Sequence, residues 1–227
     1  KIINRYNQLY KTCKNIAVHT NKLKILISDL TPNSTILKVE HGFFFKEFRQ
    51  KTLEINANKC LMIGYISKYK GIEDALEVVK ILKEKEVIIY LEIIGLATPE
   101  YLNVLTKIID DFKISDQVHI LSKEVSTKFL INKINESKML WLPYKNISQS
   151  GVSYTSIGLG KPFVGYNVGD FKSSFGNNGV ANILQQNNSK AFSEAVLEVM
   201  ENEDFYEKNI QKLSSQNLWN SNKTILN

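Results

Sequence analysis

The stretch KCLMIGYISKYKGIEDALEVVKILKEKE (59–86) predicts an α/β fold. Its first part, KCLMIGYI (59–66), is a continuous apolar run, which is typical of a strand buried on both faces of a parallel sheet. Its second part, GIEDALEVVKILKEKE (71–86), places apolar side chains at helical spacing along one face. A buried strand followed directly by an amphipathic helix is the repeating unit of a parallel sheet.

The same unit repeats along most of the chain. Further strands are predicted at 87–95, 117–121, 138–144, 162–166 and 179–184, and helices at 101–112, 126–134, 150–159, 189–202 and 204–214. This alternation predicts an α/β, Rossmann-like parallel sheet with helices on both faces. Because ligands of such sheets bind beyond the carboxyl ends of the strands, the loops of interest are 65–71, 95–99, 122–126, 144–151 and 167–171.

The beginning and the end of the chain are predicted to lie outside this main domain. Residues 1–50 contain strand–helix units that are too few to close a core, and we interpret them as the end of a preceding domain with its linker. The main domain is predicted to span 51–205, and 206–227 to form a final helix that crosses back to the first domain. The aromatic stretch FFFKEF (43–48) is expected to pack between the two domains, and the chain is expected to be part of a longer protein.

Composition restricts the function classes. The net charge is +6, but the lysines are spread evenly, so nucleic-acid binding is not expected, whereas nucleotide phosphates or anionic lipid headgroups suit the surface. No apolar run approaches the roughly 20 residues that span a bilayer. The two cysteines, Cys13 and Cys60, are interpreted as reduced thiols of a cytoplasmic protein. Together with three scattered histidines they show no metal-ligand spacing, so no metal site is expected.

The loop GYISKYKG (64–71) is a candidate phosphate site. Gly64 ends the first strand of the main domain, and Lys70 directly precedes the next helix. A helix N-terminus offers free N–H groups and positive potential, to which an ammonium adds a point charge. The alternative is a solvated loop with ordinary lysines, because the stretch is neither a GxGxxG motif nor a P-loop.

The stretch SQSG (148–151) is a second candidate. Its serines are expected to cap the helix that follows, and Gly151 lets a ligand approach the backbone. Seven of the eleven glycines lie between 151 and 179, which supports a site in this region. Such a cluster of donors suits sugar hydroxyls and a distal phosphate of a nucleotide-sugar. The alternative is a well-capped helix whose small residues allow tight packing.

Taken in order, GYISKYKG, LEIIG, QVHIL, MLWLPY and SQSGVSYTSIGLGKPFVGYNVGDF resemble the carboxyl-terminal half of retaining glycosyltransferases of the glycogen-synthase-like group, which have the GT-B fold. The resemblance covers about residues 59–205. It implies that this half binds the nucleotide-sugar donor, that a preceding half binds the acceptor, and that catalysis occurs in the cleft between them. Residues 1–50 would then be the end of the amino-terminal half.

The resemblance also assigns roles to individual residues. Gly64 lies under the donor diphosphate, Lys70 matches the diphosphate lysine, and Tyr65 stands where the family usually has an arginine. Other contacts to the sugar and the diphosphate are assigned to Ser148, Gln149, Ser150, Gly151 and Gly169. Contacts to the base, mainly through the backbone, are assigned to Leu121, Ser122 and Val125.

One family feature is missing. The usual Glu-x7-Glu pair is absent, and its second position falls on Thr155 or Ser156, which are the predicted ribose contacts. A hydroxyl there binds ribose more weakly than a carboxylate does. No side chain stands out as a nucleophile or general base, so no catalytic residue is assigned.

The resulting expectation is a cytoplasmic hexosyltransferase, peripheral at the inner membrane face, that transfers sugar with retention from a nucleotide-sugar to a glycan or lipid-linked acceptor in polysaccharide biosynthesis. No cofactor or metal is expected, and the fragment alone is expected to be inactive. The main alternative is a degenerate, non-catalytic nucleotide-sugar binding module. A dinucleotide-dependent oxidoreductase is disfavoured by the missing GxGxxG, and a basic interaction scaffold remains as a third alternative.

Overall fold

The structure is a computed structural model that describes residues 12–39, 41–50 and 58–215. The chain divides into two compact units: Lys1–Gly42 with Gln216–Asn227, and Phe43–Ser215. The predicted boundary after residue 50 lies beyond this division. Residues 216–227 of the predicted final helix lie outside the described residues.

The first unit contains one strand–helix–strand motif. Strand β1 (Asn15–Val18) pairs in parallel with β2 (Thr35–Lys38), and helix α1 (Asn21–Leu30) connects them. The side chain of Thr20 caps α1 by accepting a hydrogen bond from the amide of Leu23. A small apolar cluster holds the motif together; its buried members are Val18, Ile27 and Ile36.

The second unit is a six-stranded parallel sheet in the order β5-β4-β3-β6-β7-β8. Its strands are β3 (Lys59–Ile63), β4 (Tyr90–Ile94), β5 (Val118–Leu121), β6 (Met139–Leu142), β7 (Phe163–Tyr166) and β8 (Ala181–Leu184). Its helices are α2 (Ile72–Glu84), α3 (Pro99–Asp111), α4 (Thr127–Glu136), α5 (Gly151–Gly158), α6 (Phe171–Phe175), α7 (Ser189–Glu201) and α8 (Glu203–Ser215), and short 3-10 turns lie at Lys46–Phe48 and Lys68–Lys70.

Helices cover both faces of this sheet, as the sequence predicts. On β3, Cys60 and Met62 join the large core cluster that includes the inward faces of α2 and α7. Leu61 and Ile63 alternate with them, are also buried, and therefore point to the opposite face. The continuous apolar run of β3 reflects this two-sided burial.

The strand order reverses at the centre of the sheet. From β3 the chain builds outward through β4 and β5, and it then returns to place β6 on the other side of β3. The chain therefore leaves β3 and β6, which are neighbours, toward opposite faces of the sheet. Between the loops that follow these two strands, a crevice opens at the carboxyl edge. These two loops correspond to the ranges 65–71 and 144–151 that sequence reasoning selects.

Two local predictions need correction. The strand predicted at 87–95 begins only at Tyr90. Glu86 adopts a left-handed conformation (φ 61°), and the amide of Val87 donates a hydrogen bond back to the carbonyl of Leu82. The residues between Leu82 and Val87 therefore form the end of α2 and are not part of the strand. Helix α6 lies where the sequence suggested only a turn. The stretch 43–48 belongs to the second unit, where Phe43 is buried and its ring lies 6.1 Å from that of Tyr154 on α5; its packing between the domains stays a prediction.

Candidate functional site

Lys70 lies at the crevice with its ammonium turned inward. It ends the 3-10 turn that follows β3, and only 7% of the residue is exposed. Its Nζ donates hydrogen bonds to the carbonyl oxygen of Ile63 (3.3 Å) and to the hydroxyl of Tyr144 (2.8 Å). An ammonium has three N–H donors, so one remains for an anion.

Tyr144 connects this lysine to the second predicted loop. It follows β6, is almost fully buried, and its ring lies 4.2 Å from the Lys70 Nζ. Burial raises the pKa of the Tyr144 hydroxyl, and the adjacent Ser150 side chain opposes that shift in pKa. Tyr144 thus bonds to Lys70 and lies next to Ser150 at the N-terminus of α5.

The two loops also contact each other through their backbones. The amide of Lys145 donates a 2.8 Å hydrogen bond to the carbonyl of Tyr69. Gly71 has φ +66°, and a Cβ at this position would overlap the carbonyl oxygen of Pro143. The glycine of the predicted "KG" pair is therefore required for close packing of the two loops.

The buried environment of Lys70 disfavours the protonated, charged form of its side chain. Burial lowers the pKa of Lys70 to about 8, because desolvation disfavours the charged state. Gly64 contributes to the enclosure: it has φ +98°, and a Cβ there would approach the Lys70 Nζ at 3.2 Å. A bound anion would favour the charged lysine, so the site is suited chemically to a phosphate group.

The N-terminus of α5 differs from the prediction in one respect. Ser150 is the N-cap residue, but its side chain makes no capping hydrogen bond. Gly151 is exposed, and a Cβ there would approach Phe44 Cε2 only at an ordinary 4.0 Å. Packing therefore does not require glycine at 151, whereas at Gly158 a Cβ would overlap the backbone of Phe44.

The loop after β7 packs on the stretch 147–149. Gly169 has φ +58°, and a Cβ there would lie 2.6 Å from the carbonyl oxygens of Ile147 and Ser148. Ser148 is exposed and Gln149 is half-buried. The structure thus brings all the residues predicted to hold the sugar and diphosphate to the carboxyl edge of β3, β6 and β7, although their roles as ligand contacts stay predictions.

Sequence reasoning missed a buried carboxylate in this region. Asp170 is 2% exposed and accepts hydrogen bonds from the hydroxyls of Tyr154 (2.9 Å) and Ser174 (3.3 Å). Burial raises its pKa, while Tyr154, Ser174 and Gln149 oppose the shift. Within the described part of the chain, Asp170 Oδ1 and Gln149 Nε2 have no hydrogen-bond partner. The only sequence signal was an acidic residue directly after Gly169 at a strand end.

The predicted base contacts lie two strands away on the same edge. Leu121 ends β5, and the Ser122 hydroxyl accepts a 3.3 Å hydrogen bond from the amide of Ala97, which ties together the loops after β4 and β5. Leu121, Ser122 and Val125 are half-buried. Two strand spacings amount to about 10 Å, a distance that a nucleoside diphosphate spans.

Of the two predicted ribose contacts, the structure does not support Ser156. It is fully buried, and its hydroxyl donates a 2.8 Å hydrogen bond to the carbonyl of Lys161. The side chain faces the interior because α5 turns Ser153, Ser156 and Ile157 inward. Thr155 is half-buried and stays the predicted ribose contact.

Tyr65 is 53% exposed beside Lys70. The exposed Tyr69 and Lys68 follow in the same loop. This loop therefore presents aromatic and cationic groups to solvent at the crevice.

Metal-binding clusters and membrane-spanning helices are both missing from residues 12–39, 41–50 and 58–215. Among them, no group of three or more histidine, cysteine, aspartate or glutamate side chains is arranged to hold a metal ion. No helix in these ranges is long and apolar enough to cross a membrane.

Solved structures share this fold. Anabaena HepE, solved with UDP and glucose, superimposes with a TM-score of 0.80 at 11% identity, covering 99% of this chain and 65% of HepE. Sucrose-phosphate synthase from Thermosynechococcus elongatus gives 0.75 at 11% identity, covering 92% of this chain and 56% of the synthase. A glycosyltransferase from Rickettsia africae gives 0.72 at 17% identity, covering 96% and 62%.

These likenesses confirm the predicted GT-B architecture, and the chain spans between about half and two thirds of the length of these proteins. No curated protein sequence matches the chain significantly. The sequence model of the glycosyl transferases group 1 matches residues 44–215, which is almost all of the second unit. The chain therefore belongs to the group 1 glycosyl transferase family.

Proposed function

We propose that the second unit binds the nucleotide-sugar donor of a glycosyltransferase. The observation that carries the proposal is the hydrogen bond from Lys70 to Tyr144, which joins the loops after β3 and β6 beside Ser150 at the point where the strand order reverses. It places an ammonium, an uncapped helix N-terminus and an exposed glycine around one crevice. These are the groups that bind a diphosphate.

In this proposal the protein acts mainly through electrostatics. As the bond between the sugar and the diphosphate breaks, negative charge develops on the departing diphosphate. Lys70 and the first amides of α5 are fixed in place before the reaction and stabilise this charge, which lowers the barrier. The Gly169 loop adds backbone N–H groups. The proposed step is assigned to these residues without a metal.

The finer assignments follow from the family resemblance. We propose transfer of a hexose with retention to a glycan or lipid-linked acceptor in polysaccharide biosynthesis, with the acceptor bound mainly by residues beyond this unit. The location proposed is the cytoplasm, with peripheral contact at the membrane where the acceptor is lipid-linked. Both cysteines are free, as a cytoplasmic protein requires.

The test is a thermal unfolding series of the 227-residue chain with UDP, GDP, ADP and their glucose conjugates. A ligand at about 100 times its Kd stabilises the folded state by roughly 2.7 kcal/mol. We expect one nucleotide series to raise Tm and Lys70→Met to weaken that response by about tenfold or more in Kd. The matched control is Lys190→Met, because Lys190 is an exposed lysine on α7.

Two results would contradict the proposal. One is a folded protein whose Tm responds to none of the nucleotides. The other is an equal loss of affinity in the Lys70 and Lys190 variants, which would place the nucleotide away from the crevice.

A second candidate is a binding module that has lost transfer activity. The exposed Tyr65 favours it, because this position lacks the cation that the family usually supplies. Such a module would bind the nucleotide-sugar yet release no free nucleotide from it over time. Slow donor hydrolysis that disappears in Lys70→Met would instead favour the enzyme.

A further inference from the structure

A separate cavity lies at the opposite, amino edge of the sheet. Its volume is about 90 Å³. It is bounded by the residues that precede β6 and β7, by the segment that leads into the second unit, and by α8. Its charged lining consists of Arg49, Lys138, Lys161, Glu203 and Glu207.

Lys161 is the unusual member of this lining. Only 5% of the residue is exposed, and among the described residues its ammonium has neither a hydrogen-bond acceptor nor an ion-pair partner. Its backbone is fixed, because its amide donates to the carbonyl of Ser156 and its carbonyl accepts from the Ser156 hydroxyl. Because no protein group among the described residues pairs with this ammonium, a ligand that enters the cavity can do so.

The other charges of the cavity already pair with one another. Arg49 forms a 3.1 Å ion pair with Glu207, and Lys138 pairs with Glu203. These two pairs leave the charge of Lys161 in excess. Burial lowers the pKa of Lys161 to about 8. The charges of Glu203 and Glu207 oppose this shift in pKa, and those of Arg49 and Lys138 add to it. The side chain is therefore still mostly protonated at pH 7.

The wall around Lys161 is held in place from several sides. Gly160 has φ +82°, and a Cβ there would overlap the guanidinium of Arg49, so the glycine admits the arginine to the cavity. Asn135, fully buried on α4, accepts from the amide of Gln50 (3.3 Å) and donates to the carbonyl of Phe48 (3.0 Å). These bonds fix the backbone on both sides of Arg49.

We propose that this cavity binds a small, singly charged oxyanion, of the carboxylate or monobasic phosphate type, on the ammonium of Lys161. At about 90 Å³, the cavity is large enough to admit an anion of this size, because a cavity of about 10–15 Å³ already holds one water molecule. The two glutamates disfavour a second negative charge on the ligand.

The position of the cavity suggests a structural effect of binding. Arg49 belongs to the segment through which the chain enters the second unit, and Glu203 and Glu207 belong to the helix through which it leaves. An anion bound between them would tie these segments together. Since the crevice with Lys70 lies at the carboxyl edge, the two sites are independent.

The test compares thermal unfolding of the 227-residue chain at pH 7 in sodium phosphate, acetate and chloride of equal ionic strength. We expect saturable stabilisation by phosphate, by acetate or by both, relative to chloride, which also distinguishes the two sources of the anion. Lys161→Met should weaken that response by about tenfold or more in Kd. The matched control is Lys190→Met, which removes an exposed lysine of α7 outside the cavity lining and should keep the response.

Lysine labelling on the unaltered protein locates the site without relying on a variant. Reductive methylation followed by peptide mass spectrometry should show Lys161 protected by the stabilising anion, while labelling of the exposed Lys190 stays constant. The proposal is overturned if neither anion stabilises beyond chloride, if the response survives in Lys161→Met, or if Lys161 is labelled equally with and without the anion.

Discussion

The Nζ of Lys70 donates a 2.8 Å hydrogen bond to the hydroxyl of Tyr144, two residues that lie 74 positions apart in the chain. This bond crosses the point where the strand order reverses, and it joins the loop after β3 to the loop after β6. It holds the ammonium at the crevice before any ligand arrives. Electrostatic stabilisation of a departing group is most effective when the charges are fixed in this way.

Removing the acceptor of this bond should destabilise the fold. In Tyr144→Phe the buried ammonium keeps only its 3.3 Å bond to the carbonyl of Ile63. A lost hydrogen bond to a charged group costs about 1.5–3 kcal/mol, and we expect the free energy of unfolding from urea titration to fall by this amount.

The control for this variant is Tyr69→Phe, whose ring lies 6.2 Å from that of Tyr144. Tyr69 is exposed, and exposed substitutions change stability by about 0.5 kcal/mol or less. Equal losses in both variants would show that the Lys70–Tyr144 bond does not carry the effect.

Nucleotide affinity should depend on pH through Lys70. The pKa of Lys70 in the free protein is lowered to about 8 by burial. Below pH 8 the ammonium is present and affinity is constant; above pH 8 binding must first restore the proton, so the association constant falls by up to about tenfold per pH unit. Calorimetric titration of the nucleotide that binds, between pH 7 and 9, measures this slope.

Lys70→Arg provides the comparison, because a guanidinium stays charged over this range. Whatever the absolute affinity of this variant, its affinity should stay constant between pH 7 and 9. A flat profile in the unaltered protein would mean that the charge of Lys70 does not contact the nucleotide.

The fold followed from local patterns, whereas the contacts of the site did not. The runs 59–66 and 71–86 specify a buried strand and an amphipathic helix from their own residues, and the repetition of this pattern specifies a parallel sheet. The pairing of Lys70 with Tyr144 depends on β6 adding next to β3 rather than at an outer edge. Strand order is a long-range property that strand–helix alternation leaves open.

Two side chains show where residue-level reasoning fails. Ser156 and Thr155 were equivalent in sequence, and only the rotation of α5 decides that Ser156 faces the interior and bonds to Lys161. Asp170 was overlooked because carboxylates are rarely buried. Its partners Tyr154 and Ser174 lie on α5 and α6, and α6 was not predicted at all.

The stability of the unaltered protein should change with pH relative to Lys161→Met. The folded-state pKa of Lys161 is about 8, below its ordinary value of 10.5. Between these values the unfolded chain binds more protons, so the stability of the unaltered protein rises with pH. Lys161→Met lacks this contribution, while Lys70 and the tyrosines titrate equally in both proteins.

Between pH 8 and 10, the free energy of unfolding of the unaltered protein should therefore rise by about 2–3 kcal/mol relative to that of Lys161→Met. Urea titrations of both proteins in chloride buffers give this difference directly. A difference that stays constant over this range would show that the ammonium of Lys161 is not desolvated in the folded state.

Restoring the missing cation should strengthen nucleotide binding. Tyr65 is 53% exposed beside Lys70, so Tyr65→Arg adds a charge at the crevice without removing core contacts. We expect the Kd for the nucleotide to fall by about three- to tenfold, as one charge-assisted hydrogen bond contributes.

The matched control is Tyr90→Arg, an equivalent change at the exposed beginning of β4 on the opposite edge of the sheet. It adds the same net charge and should leave Kd nearly unchanged. Equal gains in both variants would indicate a general effect of net charge, and no gain in Tyr65→Arg would favour the binding module whose site has degenerated.

Two glycines of α5 separate packing from ligand approach. In Gly158→Ala the new Cβ would overlap the backbone of Phe44, and overpacking of this kind destabilises by about 1–3 kcal/mol or more.

In Gly151→Ala the Cβ has room, with Phe44 Cε2 at 4.0 Å, so urea titration should show little loss of stability. If a diphosphate approaches the first turn of α5, the same methyl group lies against the ligand, and we expect the Kd for the nucleotide to rise by about tenfold. Unchanged affinity in a stable Gly151→Ala would mean that the ligand does not approach this turn, and that the exposed glycine has another cause.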